Sequence, residues 1–148
     1  MIICVCHVFQ KILDNQFNFL NDSDGSPVFN VTETAQSHYD LKYDDNSSSL
    51  FVAFSDKRNF IDNDIYFTAF DLSGEQNFSE PILLVDTFFK DDDVKFLTEL
   101  GGSLLMGYDS GDFSATRSYL AISDFSGNIL DAFRLSSNEN DFINSIFF

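Results

Sequence analysis

At residues 65–74 the chain reads Ile65-Tyr66-Phe67-Thr68-Ala69-Phe70-Asp71-Leu72-Ser73-Gly74. An apolar run of strand length leads here into an Asp-x-x-Gly motif. In such a motif the Asp side chain bonds back to the backbone and the Gly adopts a positive φ, which together make a hairpin turn. A second apolar run of strand length follows at residues 82–85. The stretch therefore predicts two antiparallel strands joined by a short connection.

The Asp-x-x-Gly motif occurs three times at a nearly constant spacing. The three copies end at Gly25, Gly74 and Gly127, which lie 49 and 53 residues apart. A period near 50 residues is in the range of the blades of a β-propeller, each of which is a four-stranded antiparallel sheet.

Further strands are predicted around the second and third motifs. Residues 50–54 match residues 104–108 at an offset of 54, and residues 39–43 and 94–97 form a first strand ahead of each. The unit that contains the third motif continues with strands at residues 118–123 and 129–133. The near-continuous apolar runs favour strands that are covered on both faces, as between neighbouring blades, although residues 39–43 alternate.

The spacing thus predicts an all-β chain that is a β-propeller fragment of antiparallel four-stranded blades, about three blade-equivalents in all. We expect a partial blade at residues 1–38, complete blades at 39–92 and 93–135, and the first strand of a further blade at 136–148. A closed propeller has at least four blades. We therefore expect the missing blades to come from the rest of a longer chain or from another copy.

Part of the first complete unit is similar to a known repeat. Its residues Phe54-Ser55-Asp56-Lys57-Arg58, Asp64-Ile65-Tyr66 and Asp71-Leu72-Ser73-Gly74 resemble the WD40-like propeller repeats of the TolB type and the related repeats of secreted bacterial surface proteins. In the next unit the Ser-Asp-x-Arg pattern becomes Tyr108-Asp109-Ser110-Gly111, and the Trp-Ser-x-Asp-Gly turn of the TolB type is absent. The resemblance implies a fold but no activity, and it implies mainly structural roles for Asp56, Arg58, Asp64, Tyr66, Asp71, Gly74, Tyr119, Asp124 and Gly127.

Composition excludes some classes of function. The 148 residues carry 24 acidic and 8 basic side chains, a formal net charge of −16, and 19 Phe but no Trp. So negative a surface repels phosphate backbones and disfavours nucleic-acid binding. No apolar run approaches the roughly 18 residues of a membrane span. Acidity and repeat type favour an extracytoplasmic location, and Cys4 and Cys6 are expected to be free thiols in a strand.

The sequence contains no recognised catalytic motif. Its two histidines, His7 and His38, are expected to be structural or surface residues. Asp22 and Asp24 precede Gly25 at alternate positions, as oxygen ligands do in calcium loops, but the hairpin turn explains the same residues. The acidic segments 62–64 and 91–93 are predicted to be solvated connections, with a role at the rim of a calcium site or pocket as the alternative.

These observations predict a non-enzymatic binding or scaffold module of a larger extracytoplasmic propeller protein. Its ligand would be a protein or a glycan, held by loops such as residues 56–64 and 109–116, because loops on a rigid scaffold carry recognition. The alternative is a fragment of a propeller glycoside hydrolase, sialidase-like or related, which would use paired carboxylates. Nothing selects such a pair, and only Arg58, Arg117 and Arg134 are present to bind a substrate carboxylate.

Overall fold

The computed structural model describes residues 9–10, 26–27, 36–58, 61–111 and 115–135. Within these ranges the chain is all-β and contains no helix. Two short strands, β1 (Phe9–Gln10) and β2 (Ser26–Pro27), pair with each other. The other strands form two four-stranded antiparallel sheets.

Each sheet is a meander in which every strand pairs with the next one in sequence. The N-terminal sheet contains β3 (Gln36–Asp44), β4 (Ser49–Asp56), β5 (Asp64–Phe70) and β6 (Ile82–Val85). The C-terminal sheet contains β7 (Lys90–Leu100), β8 (Ser103–Gly111), β9 (Thr116–Asp124) and β10 (Ile129–Arg134). The eight strands predicted between residues 39 and 133 are therefore confirmed.

Two of the strands extend past the predicted limits of the units. The limit at residues 38 and 39 lies inside β3, and the limit at residues 92 and 93 lies inside β7. Both strands have a register shift there, and His38 and Asp93 adopt positive φ values of 43° and 52°. Such bulges let a strand continue past residues that break its regular alternation.

The second and third Asp-x-x-Gly motifs form the same hairpin turn. In each, the Gly N–H donates to the Asp carbonyl at 3.1 Å, and φ is 88° at Gly74 and 80° at Gly127. The side chains of Asp71 and Asp124 accept hydrogen bonds from the backbone N–H groups two and four residues further on. The pattern thus makes the turn that it predicts, by a local mechanism.

The two sheets are stacked, with β7 packed against β3, β4 and β5. The apolar side chains between them form the larger of two buried clusters: Phe51, Ala53, Ile65, Phe67, Ala69, Leu84, Val85, Val94, Leu104, Met106, Tyr108 and Ala121. A Phe side chain at such a site contributes roughly 1.5–3 kcal/mol by leaving water, so aromatic residues supply much of this interface.

The two sheets stack in the same sense. On β8, the side chains that face the N-terminal sheet are Leu104, Met106 and Tyr108. Their counterparts at the offset of 54 lie on the opposite face from the sheet interface, in or against the second cluster: Leu50, Val52 and Phe54. Matching faces thus point in one direction, as in a stack of repeated units. A back-to-back sandwich would bring the matching faces together.

Strand β3 turns its polar residues toward the C-terminal sheet. Asp40 accepts a hydrogen bond from the backbone N–H of Phe96 at 2.8 Å, which joins β3 to β7. The alternating Tyr39, Leu41 and Tyr43 lie on the other face and are exposed. The alternation predicted at residues 39–43 is present, but its apolar side does not face the sheet interface.

The stack of two sheets has a turn end and a loop end. The turn end is the end at which β3, β5, β7 and β9 finish, and the loop end is the end at which β4, β6 and β8 finish. At the turn end, Phe125 packs on Phe51 with ring centroids 4.8 Å apart.

The turn at Gly127 provides a test of the stacking. A methyl group at Gly127 would lie 3.1 Å from side-chain atoms of Phe67 and Ile82 on the other sheet, whereas one at Gly102 would contact nothing within 4 Å. Both glycines have nearly the same positive φ, 80° and 85°. We expect Gly102→Ala to cost about 1 kcal/mol, the penalty of the left-handed backbone. Gly127→Ala should cost at least about 1 kcal/mol more, because it also overpacks the interface.

Urea unfolding of both variants measures this difference. Equal shifts of the midpoint for the two variants would contradict the placement of the turn against the N-terminal sheet.

Candidate functional site

The loop end contains a group of buried carboxylates. In the described residues near this end, five Asp side chains are buried: Asp56, Asp64, Asp91, Asp92 and Asp109. Segments 62–64 and 91–93 were predicted to be solvated connections. This prediction is wrong for three of their residues, Asp64, Asp91 and Asp92. Asp64 opens β5 and the other two belong to β7, so the packing of the sheets covers them.

Asp91 holds the connection between the two sheets. Its carboxylate accepts hydrogen bonds of 2.9 Å from both the backbone N–H and the hydroxyl of Thr87. Its own N–H donates to the carbonyl of Asn63 at 2.7 Å. Burial raises the pKa of Asp91, while hydrogen bonds from Ser110 and Thr87 oppose that rise. Thr87 also contacts the Ser110 hydroxyl at 3.2 Å, which ties the connection to β8.

Asp92 joins β3 and β4 to β7. The Ser55 hydroxyl donates to its Oδ1, Lys90 forms an ion pair with it, and His38 Nδ1 contacts Oδ1. His38 also lies 3.4 Å from a carboxylate oxygen of Asp93. Burial works to raise the pKa of Asp92, but hydrogen bonds from Lys90 and Ser55 outweigh it and the pKa is lowered. Asp92 is therefore an anion held inside the sheet interface.

Asp56 and Arg58 form an ion pair on an aromatic surface. Arg58 Nη2 lies 2.8 Å from Asp56 Oδ2, and the guanidinium carbon lies 3.6 Å from the centre of the Tyr66 ring. Tyr66 in turn stacks with Phe54 at a centroid distance of 6.1 Å. The structure thus places the resembling residues Asp56, Arg58 and Tyr66 together, and a stacked guanidinium compensates the buried carboxylate.

The pKa of the Asp64 carboxyl lies well above its ordinary value. Burial, followed by the charges of Asp86 and Asp62, raises the pKa of Asp64 to about 6. A raised pKa is a property of general acids. However, only 2% of Asp64 is exposed, so a glycosidic oxygen cannot reach this carboxyl.

The C-terminal sheet repeats part of this arrangement with other residues. Tyr108 stacks on Tyr119 at 5.3 Å, at the positions that match Phe54 and Tyr66. The buried Asp109 accepts a 2.6 Å hydrogen bond from the Ser118 hydroxyl. Sequence reasoning did not select Asp109. The available signal was its position directly after the predicted apolar strand 104–108, where Ser55 stands in the first complete unit.

Two apolar side chains of the loop end are exposed to solvent. Ile61, in the connection after β4, is 79% exposed, and Phe88, in the connection after β6, is 91% exposed. Phe88 and Phe89 make an edge-to-face pair at 5.9 Å. Sequence reasoning missed Phe88, although an aromatic pair in a short connection bounded by Asp86 and Lys90 was a usable signal.

The residues predicted to bind calcium cannot be located in the fold. Asp22 and Asp24, the candidate calcium ligands, lie outside the described residues, as do His7, Cys4 and Cys6. Across the ranges that the structure does describe, no three His, Cys, Asp or Glu side chains are arranged to hold a metal ion. Over those same ranges there is no helix with the length and hydrophobicity that crossing a bilayer requires.

Comparisons with protein-family models, with curated proteins and with solved structures found no significant match to this chain. What the loop end does must therefore be inferred from its own residues.

Replacement of Asp64 by Asn is expected to stabilise the protein at neutral pH. Because the folded pKa of about 6 lies above the unfolded value near 3.8, stability falls as the pH rises between these values. The Asn variant avoids that loss, so it should be more stable by about 1–3 kcal/mol at pH 7 and similar to the parent at pH 4. Thermal melting of the parent and the variant between pH 4 and pH 8 measures this difference in stability. Asp45→Asn, an exposed residue at the turn end, is the control for net charge. Higher stability at pH 7 in both variants, or in neither, would contradict the claim that burial of the Asp64 carboxylate destabilises the fold.

Removal of the Arg58 side chain is expected to destabilise the fold through Asp56. In Arg58→Ala a carboxylate with 0% side-chain exposure loses its cation, and such a loss typically costs about 3–5 kcal/mol. The double variant Asp56→Asn, Arg58→Met removes both charges of this pair and should recover part of the loss. Urea unfolding distinguishes the two. A double variant no more stable than Arg58→Ala would show that the ion pair is not the cause.

Proposed function

We propose that this chain is a non-enzymatic binding module of a larger extracytoplasmic β-propeller protein, and that the loop end recognises a protein or a glycan. The observation that carries the proposal is Phe88, an aromatic side chain 91% exposed on a connection whose base is held by hydrogen bonds to the buried Asp91.

The connection after β6 is rigid at its base. Thr87 is bound to Asp91 through both its backbone and its hydroxyl, and the N–H of Phe89 donates to the same hydroxyl at 3.1 Å. Little conformational entropy remains to be lost when such a loop binds, and pre-organisation of this kind increases affinity.

An exposed Phe on a rigid loop is costly unless a partner covers it. Burial of a Phe side chain is worth roughly 1.5–3 kcal/mol. Aromatic residues are enriched in the central contacts of interfaces. Ile61 lies on the neighbouring connection, which the bond from Asp91 to Asn63 joins to the same base. The two connections thus present apolar side chains at one end of the stack.

The architectural part of the proposal is supported by the stacking sense. Because matching faces of the two sheets point in one direction, further units of the same kind can be added without reversal, as in a propeller. The net charge of −16 supports a location outside the cytoplasm.

A pair of matched variants tests recognition by the loop end. Phe88→Ser removes an exposed apolar side chain from the loop end, and Leu100→Ser removes one that is 75% exposed from the turn end. The parent chain and both variants are immobilised and compared on a glycan array and in pull-downs with quantitative mass spectrometry. We expect Phe88→Ser to reduce retention of the bound protein or glycan at least fivefold, and Leu100→Ser to leave it unchanged.

Two results would refute this function. One is that the parent chain retains no protein or glycan above background. The other is that Phe88→Ser and Leu100→Ser retain ligand equally, which would mean that the loop end is not the binding site.

A further inference from the structure

We infer that the partner of the loop end is a protein segment carrying arginine, with Phe88 packing on the guanidinium and Asp86 pairing with its charge. This inference rests on the proposed function of the loop end and adds the chemistry of the ligand.

Asp86 and Phe88 flank a residue that points inward. Thr87 lies between them and directs its hydroxyl to Asp91 and Ser110. Its two neighbours are exposed, Phe88 to 91%. An aromatic face and a carboxylate are thus presented two residues apart on a connection that is fixed at its base.

The same chain already binds a guanidinium with these two groups. Arg58 lies over the ring of Tyr66 at 3.6 Å and pairs with Asp56 at 2.8 Å. An aromatic ring supplies a cation–π contact, and a carboxylate accepts the N–H groups of arginine. Asp86 and Phe88 offer this combination to solvent.

The charges around Phe88 favour a cation over a neutral or acidic ligand. Asp86 is exposed, and Asp93, whose carboxylate also lies 3.4 Å from His38, has half of its side chain exposed. Lys90, the cation that follows Phe89, is occupied by Asp92. Asp62 and Asp86 lie on the connections after β4 and β6, and the charges of both raise the pKa of Asp64. An arginine reduces this negative charge, whereas an acidic segment would add to it.

The test uses a defined peptide and its neutral twin. A fluorescent peptide of about ten residues, with arginines separated by Gly and Leu, is titrated with the full chain by fluorescence anisotropy, next to the same peptide with citrulline in place of arginine. Citrulline keeps the shape of arginine and removes the charge. We expect the citrulline peptide to bind at least about fivefold more weakly.

Four variants locate the binding. Phe88→Ser and Asp86→Asn should each weaken the arginine peptide about threefold to fivefold, because each removes one of the two contacts. Leu100→Ser removes an exposed apolar side chain and Asp45→Asn a carboxylate charge at the turn end, and neither should have an effect. Equal weakening by Asp45→Asn would show that overall acidity attracts the peptide, and would overturn the inference.

Failure of the inference is distinguishable from failure of the proposed function. If both peptides bind equally, or a glycan binds, and Phe88→Ser still weakens the interaction, the loop end is a binding site but its ligand is not an arginine segment. If no variant changes the binding of peptides or glycans, both proposals fall.

Discussion

Asp91 and Asp92 lie between the two sheets, and a carboxylate in that position must be compensated. An uncompensated buried charge costs several kcal/mol, so each oxygen requires donors or cations close by. Thr87 and Ser110 serve Asp91, while Ser55, His38 and Lys90 serve Asp92. These partners come from both sheets and from the connection between them. Satisfying the two carboxylates therefore sets how β7 sits on β3 and β4, and also fixes the base of the exposed connection.

This constraint links the stability of the stack to its surface. Apolar packing between the sheets is strong but has no direction, because burial of Phe51 or Phe67 depends mainly on area. The hydrogen bonds to Asp91 and the bond from the Phe96 N–H to Asp40 are directional. They select one alignment among those that the apolar side chains alone would permit. The exposed position of Phe88 follows from that alignment, since Thr87 must turn inward to reach Asp91.

Two matching units are built here with different residues. The first uses an ion pair on an aromatic ring, Asp56 and Arg58 over Tyr66. The second uses a stacked tyrosine pair, with Asp109 bound by a hydroxyl. The shared requirement is a cross-strand aromatic pair near a buried carboxylate that has a donor. The Ser-Asp-x-Arg pattern is one solution of this requirement, so its absence from the second unit leaves the strands and their order unchanged.

The strands and the two hairpin turns could be predicted from the sequence alone, because they depend on residues that are neighbours in the chain. Runs such as residues 65–70 are apolar at strand length, and Asp71 and Gly74 make their turn with their own backbone. Which polar residues are buried, and which apolar residues are exposed, depends on how the two sheets pack and could not be predicted from the sequence. The Asp residues at 91 and 92 have the composition of a solvated connection, yet the other sheet covers them. Phe is a residue type typical of a core, yet within the described part of the chain neither sheet covers Phe88. Whether a residue is buried depends on what packs against it. For the two carboxylates and for Phe88, the groups that determine burial are distant in sequence or are held in place by groups that are.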